Sequence, residues 1–340
     1  MKYNFLGNTG LLVSEFCMGT MTFGGKGFWQ AIGRMQQQEV NTLMKQAVDA
    51  GINFIDTANV YSLGESETLL GQSVRDLGLH RDELVIASKT RGRMKDRPNS
   101  IGLSRYQIFQ SVDDSLMRLQ MDHMDILYVH GVDYQTPVES IMRSLNDIVE
   151  SGRVRYIAVC NWPAWLVMKA QGIADKNGWH KFIGLQYYYS LATRDIEREI
   201  FPLASDQQLG VFPWSPLAGG FLSGKYTRET QKAGDSRRDE FDFPLIDKDK
   251  TFTIVDTLLA IGKEHGVSAA EIALAWVRMQ PGVTSTIIGA KRTEQLKDNI
   301  HSLDLILSEE QLKKLDAVSA LKKEYPEWMV DYQDGWRKKR

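Results

Sequence analysis

The chain has 340 residues, with 41 Lys and Arg against 43 Asp and Glu and a formal net charge of −2 at pH 7. This balance argues against nucleic acid as the main partner, and a hydrophobic content of 43% with only 9 prolines excludes a disordered or low-complexity chain. No stretch approaches the ~20 apolar residues of a membrane span, and the first residues lack the hydrophobic region of a signal peptide. We therefore expect a cytoplasmic protein with no membrane partner.

The chain repeats one pattern, in which a short β-branched run is followed by a loop and then by a stretch of helical periodicity. Before the first repeat, two short runs flank Asn8-Thr9-Gly10 and predict a β-hairpin. Apolar runs then predict eight strands, at residues 15–18, 52–56, 84–89, 125–130, 156–161, 182–186, 210–214 and 285–289.

Helices are predicted between these strands by apolar residues that recur every three or four positions. The members of the two clearest stripes are Val40, Leu43, Met44, Ala47 and Val48, and then Ile108, Val112, Leu116 and Leu119. Capping-box patterns predict helix starts at Thr136 and at Ser268, the former with Pro137 as the first helical residue. Ser308 is predicted to open a last helix.

The fold class follows from the number and character of these units. Continuously apolar strands are typical of a parallel sheet that is covered by helices on both faces. Eight strand–helix units are the number that closes into a (β/α)8 barrel, and a doubly wound open sheet is the alternative. No linker interrupts the pattern early in the chain, so residues 1–340 are predicted to form a single domain.

Two segments stand outside the repeat. Residues 216–251 are its longest interruption and are interpreted either as a surface insertion or as a functional loop. The tail that begins at about Glu324 carries Trp328, Tyr332 and Trp336. It is expected either to cover the top of the barrel or to extend away from it.

In a (β/α)8 barrel the chemistry lies at the carboxyl ends of the strands. The residues at the ends of the predicted strands are Asp56, Lys89, His130, Asn161, Gln186 and Trp214, and Tyr61 lies on the loop after Asp56. Each alone has a structural explanation, such as a turn cap or a hydrogen-bonded core position. An acid, an amine, an imidazole and a phenol at one mouth together predict a functional site.

The segments that carry these residues resemble the aldo-keto reductase superfamily, and the resemblance covers essentially the whole chain. Residues 51–61 resemble the family's Asp and Tyr signature, and residues 87–90 and 128–130 resemble its lysine and histidine segments. The resemblance implies a catalytic tetrad made of Asp56, Tyr61, Lys89 and His130. It is greatest to the long-loop branch that includes the potassium-channel β subunits.

Elementary chemistry agrees with these roles. Reducing a carbonyl needs a hydride on carbon and a proton on oxygen, and a phenol with a pKa of about 10 needs tuning to serve at neutral pH. We expect the Lys89 ammonium to lower the pKa of Tyr61 and Asp56 to keep Lys89 charged. His130 is expected to donate a hydrogen bond to the carbonyl oxygen.

A nicotinamide cofactor is predicted to bind at the same mouth. Asn161 and Gln186 offer amide groups to a carboxamide, and Trp214 offers a flat face to the nicotinamide ring. A basic cluster suits a 2′-phosphate and favours NADP(H) over NAD(H); its members are Lys225, Lys291, Arg292 and Gln295, with Arg237 as a further candidate.

By resemblance, residues 214–220 and 288–299 are NADP(H)-binding elements, which adds Ser215, Leu217, Gly289 and Asn299 to the cofactor-binding set. The chain departs from the family at Cys160, where serine is usual and can hydrogen-bond the carboxamide better. It also lacks the common proline after His130, which affects the geometry of the substrate loop.

The resulting prediction is an enzyme that reduces a small-molecule aldehyde or ketone with NADPH or runs the reverse reaction on an alcohol. A regulatory or sensor protein that binds NADP(H) but turns over slowly is the alternative. Cys17 and Cys160 are expected to be buried, reduced thiols, and no metal is predicted because no ligand spacing appears. Residues 219–225 fit a phosphate-binding loop, but Tyr226 replaces the Ser or Thr that such a loop needs.

Overall fold

The computed structural model describes residues 1–230 and 237–337, with the backbone alone at 237 and 337. Two short strands, β1 (Tyr3–Phe5) and β2 (Leu12–Ser14), pair antiparallel and form the predicted hairpin. The eight predicted barrel strands are also present. They are β3 (Phe16–Gly19), β4 (Phe54–Asp56), β5 (Val85–Thr90), β6 (Met124–Val129), β7 (Val154–Cys160), β8 (Phe182–Tyr188), β9 (Gly210–Trp214) and β10 (Thr286–Ile288).

The eight strands form one parallel sheet in the order β10-β3-β4-β5-β6-β7-β8-β9. The first and last strands of the chain's repeat are therefore neighbours, since β10 pairs with β3. A parallel bridge between Val211 and Val283 brings β9 toward β10 and nearly closes the sheet. The barrel prediction is confirmed, and the open-sheet alternative is wrong.

Twelve helices are described, and most of them connect successive strands on the outside of the barrel. They are α1 (Gln37–Asp49), α2 (Glu65–Asp76), α3 (Arg105–Leu119), α4 (Val138–Glu150), α5 (Ala164–Asn177), α6 (Ile200–Gln207), α7 (Arg237–Glu240), α8 (Lys248–His265), α9 (Ala269–Arg278), α10 (Thr293–His301), α11 (Glu309–Ser319) and α12 (Glu327–Arg337). The predicted stripes on α1 and α3 are buried, apart from the half-buried Val48. None of the described helices has the length and hydropathy to cross a membrane.

Aromatic and aliphatic side chains fill the barrel below the site. Phe54 and Phe212 meet edge to face with their ring centroids 5.4 Å apart, and Leu6, which follows β1, is fully buried in the same cluster. Cys17 and Cys160 lie in this cluster as buried, free thiols, as predicted. The packed interior leaves the carboxyl ends of the strands as the place where polar side chains collect.

The predicted capping boxes have different outcomes. Ser268 and Ser308 each accept a hydrogen bond from the third residue of their helix, and a capping box closes at both. The prediction at Thr136 is wrong, because its hydroxyl donates instead to the Asp133 carboxylate at 2.8 Å and α4 begins at Val138 with Pro137 before it. An aspartate three residues earlier thus competes successfully for the hydroxyl.

The long loop and the tail both contain helices. In the described part of residues 216–251, a 3-10 helix spans Ala218–Ser223, α7 follows, and α8 already begins at Lys248. α11 is not the last helix, because α12 follows it, and Trp328, Tyr332 and Trp336 are 48%, 62% and 64% exposed there. Each of these aromatic side chains of the tail therefore keeps about half or more of its surface in solvent.

Candidate active site

The Lys89 ammonium lies at the centre of the predicted tetrad. β4 ends at Asp56 and its neighbour β5 carries Lys89, and both side chains are buried, at 2% and 0% exposure. The Nζ atom of Lys89 lies 2.5 Å from Asp56 Oδ1, 2.8 Å from the carbonyl oxygen of Thr57 and 3.2 Å from the hydroxyl of Tyr61. All three ammonium protons thus have an acceptor.

The second oxygen of Asp56 is held from across the barrel. The Nε2 atom of Gln186 on β8 donates to Asp56 Oδ2 at 2.8 Å, and Gln186 is 3% exposed. Both carboxylate oxygens are therefore hydrogen-bonded, which a buried charge requires if it is to remain ionised. The amide nitrogen of Gln186, a residue predicted to bind the cofactor, is thus already hydrogen-bonded to Asp56 of the tetrad.

The loop after β4 brings the phenol of Tyr61 back over the barrel. Ser62, Leu63 and Gly64 follow it with φ angles of 50°, 55° and 93°, a run of left-handed backbone that reverses the chain. The Ser62 hydroxyl anchors this turn by donating to the carbonyl oxygen of Phe23 at 3.0 Å. A Cβ atom on Gly64 would lie 2.6 Å from Cδ of Arg118, so the turn needs glycine there.

Burial and neighbouring charges shift the pKa values of Lys89 and Tyr61 in opposite directions. Burial is the largest single influence on the pKa of Lys89 and lowers it, but Asp56, Tyr61 and Cys160 together outweigh burial and leave that pKa above its ordinary value. Burial raises the pKa of Tyr61, and the Lys89 ammonium offsets this only in part. Lys89 thus acts on the pKa of Tyr61 in the predicted direction, but burial outweighs it, and the phenol holds its proton at neutral pH.

His130 follows β6 and faces the phenol. Its backbone N–H donates to the carbonyl oxygen of Thr90 at 3.0 Å, and its ring lies 6.0 Å from the Tyr61 ring at 78°. Burial and the charges of Lys89 and Arg91 lower the pKa of His130 to about 3. The imidazole is neutral near pH 7 and keeps one N–H donor.

The predicted cofactor residues Asn161 and Trp214 contact each other at the ends of β7 and β9. Trp214 Nε1 donates to Asn161 Oδ1 at 3.0 Å, and Asn161 is exposed. The indole stacks with Tyr188 at 5.0 Å and with Phe243 at 5.9 Å between ring centroids. Trp214 is thus already engaged by aromatic rings, which the sequence did not indicate.

Aromatic side chains from two loops continue this row across the mouth. Phe243 stacks with Phe241 at 5.4 Å, and Phe241 meets Phe28 edge to face at 4.9 Å. Trp29, beside Phe28, lies 5.4 Å from the ring of Tyr61. Two phenylalanines two residues apart, Phe241 and Phe243, are the one sequence feature that could have indicated an aromatic contact here. Nothing in the sequence shows that the long loop reaches Phe28.

The remaining cofactor residues lie beyond β10. Gly289 and Lys291 follow this strand, Asn299 Nδ2 donates to the Gly289 carbonyl at 3.4 Å, and the Lys291 N–H donates to Gln295 Oε1 at 2.8 Å. Lys291 and the neighbouring Arg292 are exposed just before α10.

Four further predicted cofactor residues lie on the segment after β9. Ser215 and Leu217 follow β9 and are half-buried, and Ser215 has a φ of 52°. Lys225 follows the 3-10 helix and is exposed, and it makes no hydrogen bond or ion pair within the part of the chain that the structure describes. The side chain of Arg237 lies outside the described residues.

The barrel, with a carboxylate, an ammonium, a phenol and an imidazole gathered at the carboxyl ends of its strands, defines an enzyme-like site of the acid–base type. The model of the aldo/keto reductase family matches residues 15–320, and the chain belongs to this family. It is therefore an oxidoreductase of a family that acts on small-molecule carbonyl compounds with nicotinamide cofactors.

Three relatives show the breadth of the family around this chain. The versiconal hemiacetal acetate reductase of Aspergillus parasiticus is 34% identical, over 93% of this chain and 96% of its own. A Bacillus subtilis protein named an uncharacterized oxidoreductase is 36% identical, over 94% of this chain and 96% of its own. A protein of Oryza sativa subsp. japonica named a probable voltage-gated potassium channel subunit beta is also 36% identical, over the same shares.

The donors around β10 fit the phosphate groups of a nicotinamide dinucleotide. α10 begins after Arg292, whose side chain makes no capping bond, so this residue does not satisfy the first N–H groups of the helix. A Cβ atom on Gly289 would meet no atom within 4 Å, which leaves open space beside this helix start. Helix N–H groups and flanking cations are a common anion site.

Proposed function

We propose that this chain is an NADP(H)-dependent reductase of aldehydes or ketones, which also runs the reverse reaction on alcohols, with Tyr61 as the general acid and base. The observation that carries this proposal is the convergence of Lys89 Nζ on Asp56, on the Thr57 carbonyl and on the Tyr61 hydroxyl, at 2.5, 2.8 and 3.2 Å. We also propose that the catalytic unit is one domain over residues 1–340 and acts in the cytoplasm.

NADPH would supply the hydride that the carbonyl carbon accepts. Tyr61 enters the reaction protonated, because burial raises its pKa. As its proton moves to the carbonyl oxygen, negative charge develops on a phenol oxygen 3.2 Å from the Lys89 ammonium. That ammonium is already oriented by Asp56, so the site stabilises the charge without rearranging. His130 donates its N–H to the carbonyl oxygen and orients the substrate.

Residues at the strand ends would hold the cofactor. Asn161 offers its exposed amide to the carboxamide, and Trp214, Ser215 and Leu217 line the approach to it. Gly289, Lys291, Arg292, Gln295 and Asn299 surround the start of α10, and Lys225 reaches the 2′-phosphate from the long loop. This assignment is supported by the exposed cations beside an uncapped helix start.

Lys291→Met should erode a preference for NADPH over NADH. A charge-assisted contact to a phosphate contributes about 1.5–3 kcal/mol, so NADPH affinity should fall about 10- to 100-fold while NADH affinity changes little. Protein fluorescence titrated with both cofactors measures this. Lys297→Met, which removes an exposed lysine within α10, is the control. Equal dissociation constants for NADPH and NADH in the unmodified protein would contradict the assignment.

Trp214→Phe should remove most of the fluorescence quenching that accompanies cofactor binding. The indole lies at the end of β9, where the nicotinamide ring is proposed to bind, and phenylalanine keeps an aromatic face there. Emission spectra recorded during an NADPH titration test this, with affinity obtained from calorimetry. Undiminished quenching in the variant would show that another tryptophan, such as Trp29, lies beside the bound cofactor. It would overturn the proposed position of the nicotinamide ring.

Steady-state turnover separates the enzyme from the sensor alternative, which the channel-subunit name of one relative favours. With NADPH and a panel of aldehydes, ketones and quinones, an ordinary reductase turns over at about 1–10³ s⁻¹. The product should be the alcohol, formed in equal amount to the NADPH consumed. A single turnover per protein molecule followed by arrest would favour the sensor.

A further inference from the structure

Arg91 lies at the rim of the mouth, immediately after β5, and the roles proposed above do not use it. Its side chain runs over Gly131, the residue after His130: a Cβ atom there would lie 3.7 Å from Arg91 Cδ and 3.8 Å from Nε. Nε donates to the carbonyl oxygen of Val132 at 3.1 Å. The side chain of Arg91 therefore lies against the two residues that follow His130, and its charge adds to burial and to Lys89 in lowering the pKa of His130.

The two terminal nitrogens of Arg91 remain available. Within residues 1–230 and 237–337, no hydrogen bond or ion pair reaches them. The nearby carboxylate of Asp133, whose pKa the charge of Arg91 helps to lower, accepts its hydrogen bonds from other groups: the N–H of Leu103 at 2.7 Å, the N–H of Gln135 at 3.0 Å and the hydroxyl of Thr136 at 2.8 Å. A half-buried guanidinium at the mouth whose terminal donors bind no described residue is suited to a planar anionic group.

The backbone of Arg91 supports a role for its side chain. Its φ angle is 124°, a conformation that only glycine adopts without strain, and the N–H of Gly102 bonds its carbonyl at 2.9 Å. Strain of this kind concentrates at functional sites. A glycine would relieve the strain but would remove the guanidinium.

The strand order separates Arg91 from the cofactor phosphates. β5 and β6 lie on the opposite side of the barrel from β9 and β10, where Lys291 and Arg292 are. A carbonyl oxygen placed between Tyr61 and His130 leaves the rest of the substrate to extend toward the rim. We propose that Arg91 binds a carboxylate or phosphate group on the carbonyl substrate, and thus selects anionic over neutral carbonyl compounds. This inference rests on the proposed reductase function.

The test compares matched charged and neutral substrates, with NADPH present. The pairs are 4-carboxybenzaldehyde with its methyl ester, and glyceraldehyde 3-phosphate with glyceraldehyde. We expect the native protein to show a kcat/KM about 10- to 100-fold higher for the charged member of at least one pair, which also identifies the anion. Arg91→Met should abolish this preference mainly through KM and leave the neutral member nearly unchanged.

Two further variants serve as controls for Arg91→Met. Arg93→Met removes an exposed arginine that bonds the Arg97 carbonyl, and it should keep the preference. Arg91→Gly should also lose the preference, which shows that the side chain and not the strained backbone is responsible. The inference about Arg91 would be overturned if the native protein preferred the charged substrate in neither pair, or if Arg91→Met lowered kcat/KM equally for both members of a pair. Either result would leave the proposed reductase function standing. Failure to reduce any aldehyde would instead overturn the proposed function.

Discussion

Tyr61→Phe should lower kcat for carbonyl reduction by about 10²–10⁴-fold, the usual contribution of general acid catalysis. The substitution removes one oxygen atom, and the ring contacts with Trp29 and His130 remain. The only described hydrogen bond lost is the one from Lys89 at 3.2 Å, so NADPH affinity and the thermal midpoint should change little. Steady-state kinetics, a cofactor titration and thermal unfolding measure the three quantities.

Tyr134→Phe is the matched control, because Tyr134 is 75% exposed on the loop after β6. It should leave kcat unchanged. A Tyr61→Phe protein that keeps most of its turnover would show that another group supplies the proton, and the assignment of the tetrad would fail with it.

Lys89→Met should lower kcat at least as far as Tyr61→Phe, and it should also lower stability. The change leaves the Asp56 carboxylate buried without its cation, and breaking one partner of a buried pair costs about 3–5 kcal/mol. The developing charge on Tyr61 loses its nearest stabilising group as well. Kinetics together with denaturant unfolding test both effects.

The stability loss in Lys89→Met should depend on pH in a defined direction. Burial raises the pKa of Asp56, and without Lys89 only the hydrogen bond from Gln186 opposes the effect of burial. A carboxyl group whose pKa is higher in the folded than in the unfolded state costs stability above that range and ceases to cost it once protonated. The difference in the free energy of unfolding between the native protein and Lys89→Met should therefore be largest near neutral pH and should decrease as pH falls. A difference in the free energy of unfolding that does not change with pH would show that the stability loss comes from packing alone.

The tetrad was predictable because its geometry follows from strand identity. Apolar runs identified β4 and β5, and in a closed parallel barrel the carboxyl ends of all strands meet at one mouth. The pairing of β4 with β5 then brings Asp56 and Lys89 together, at 2.5 Å. Local pattern and global topology agree at these positions.

Features that depend on loops and on burial were not predictable in the same way. The left-handed backbone at Arg91, the contact of Phe241 with Phe28 and the bond of Thr136 to Asp133 arise from loop conformations that no periodicity encodes. The sequence predicted that Lys89 lowers the pKa of Tyr61, but it could not show the extent of desolvation, which leaves the net pKa above its ordinary value.

The kinetics of the double variant Tyr61→Phe/Lys89→Met test most directly whether the ammonium acts through the phenol. Since Lys89 donates to Tyr61 at 3.2 Å, its catalytic effect requires the hydroxyl to be present. We predict that kcat of the double variant is close to that of the more damaged single variant, as for residues that act as one unit. Losses that multiply across the two changes would show that Lys89 and Tyr61 contribute independently, and would contradict the proposed proton transfer.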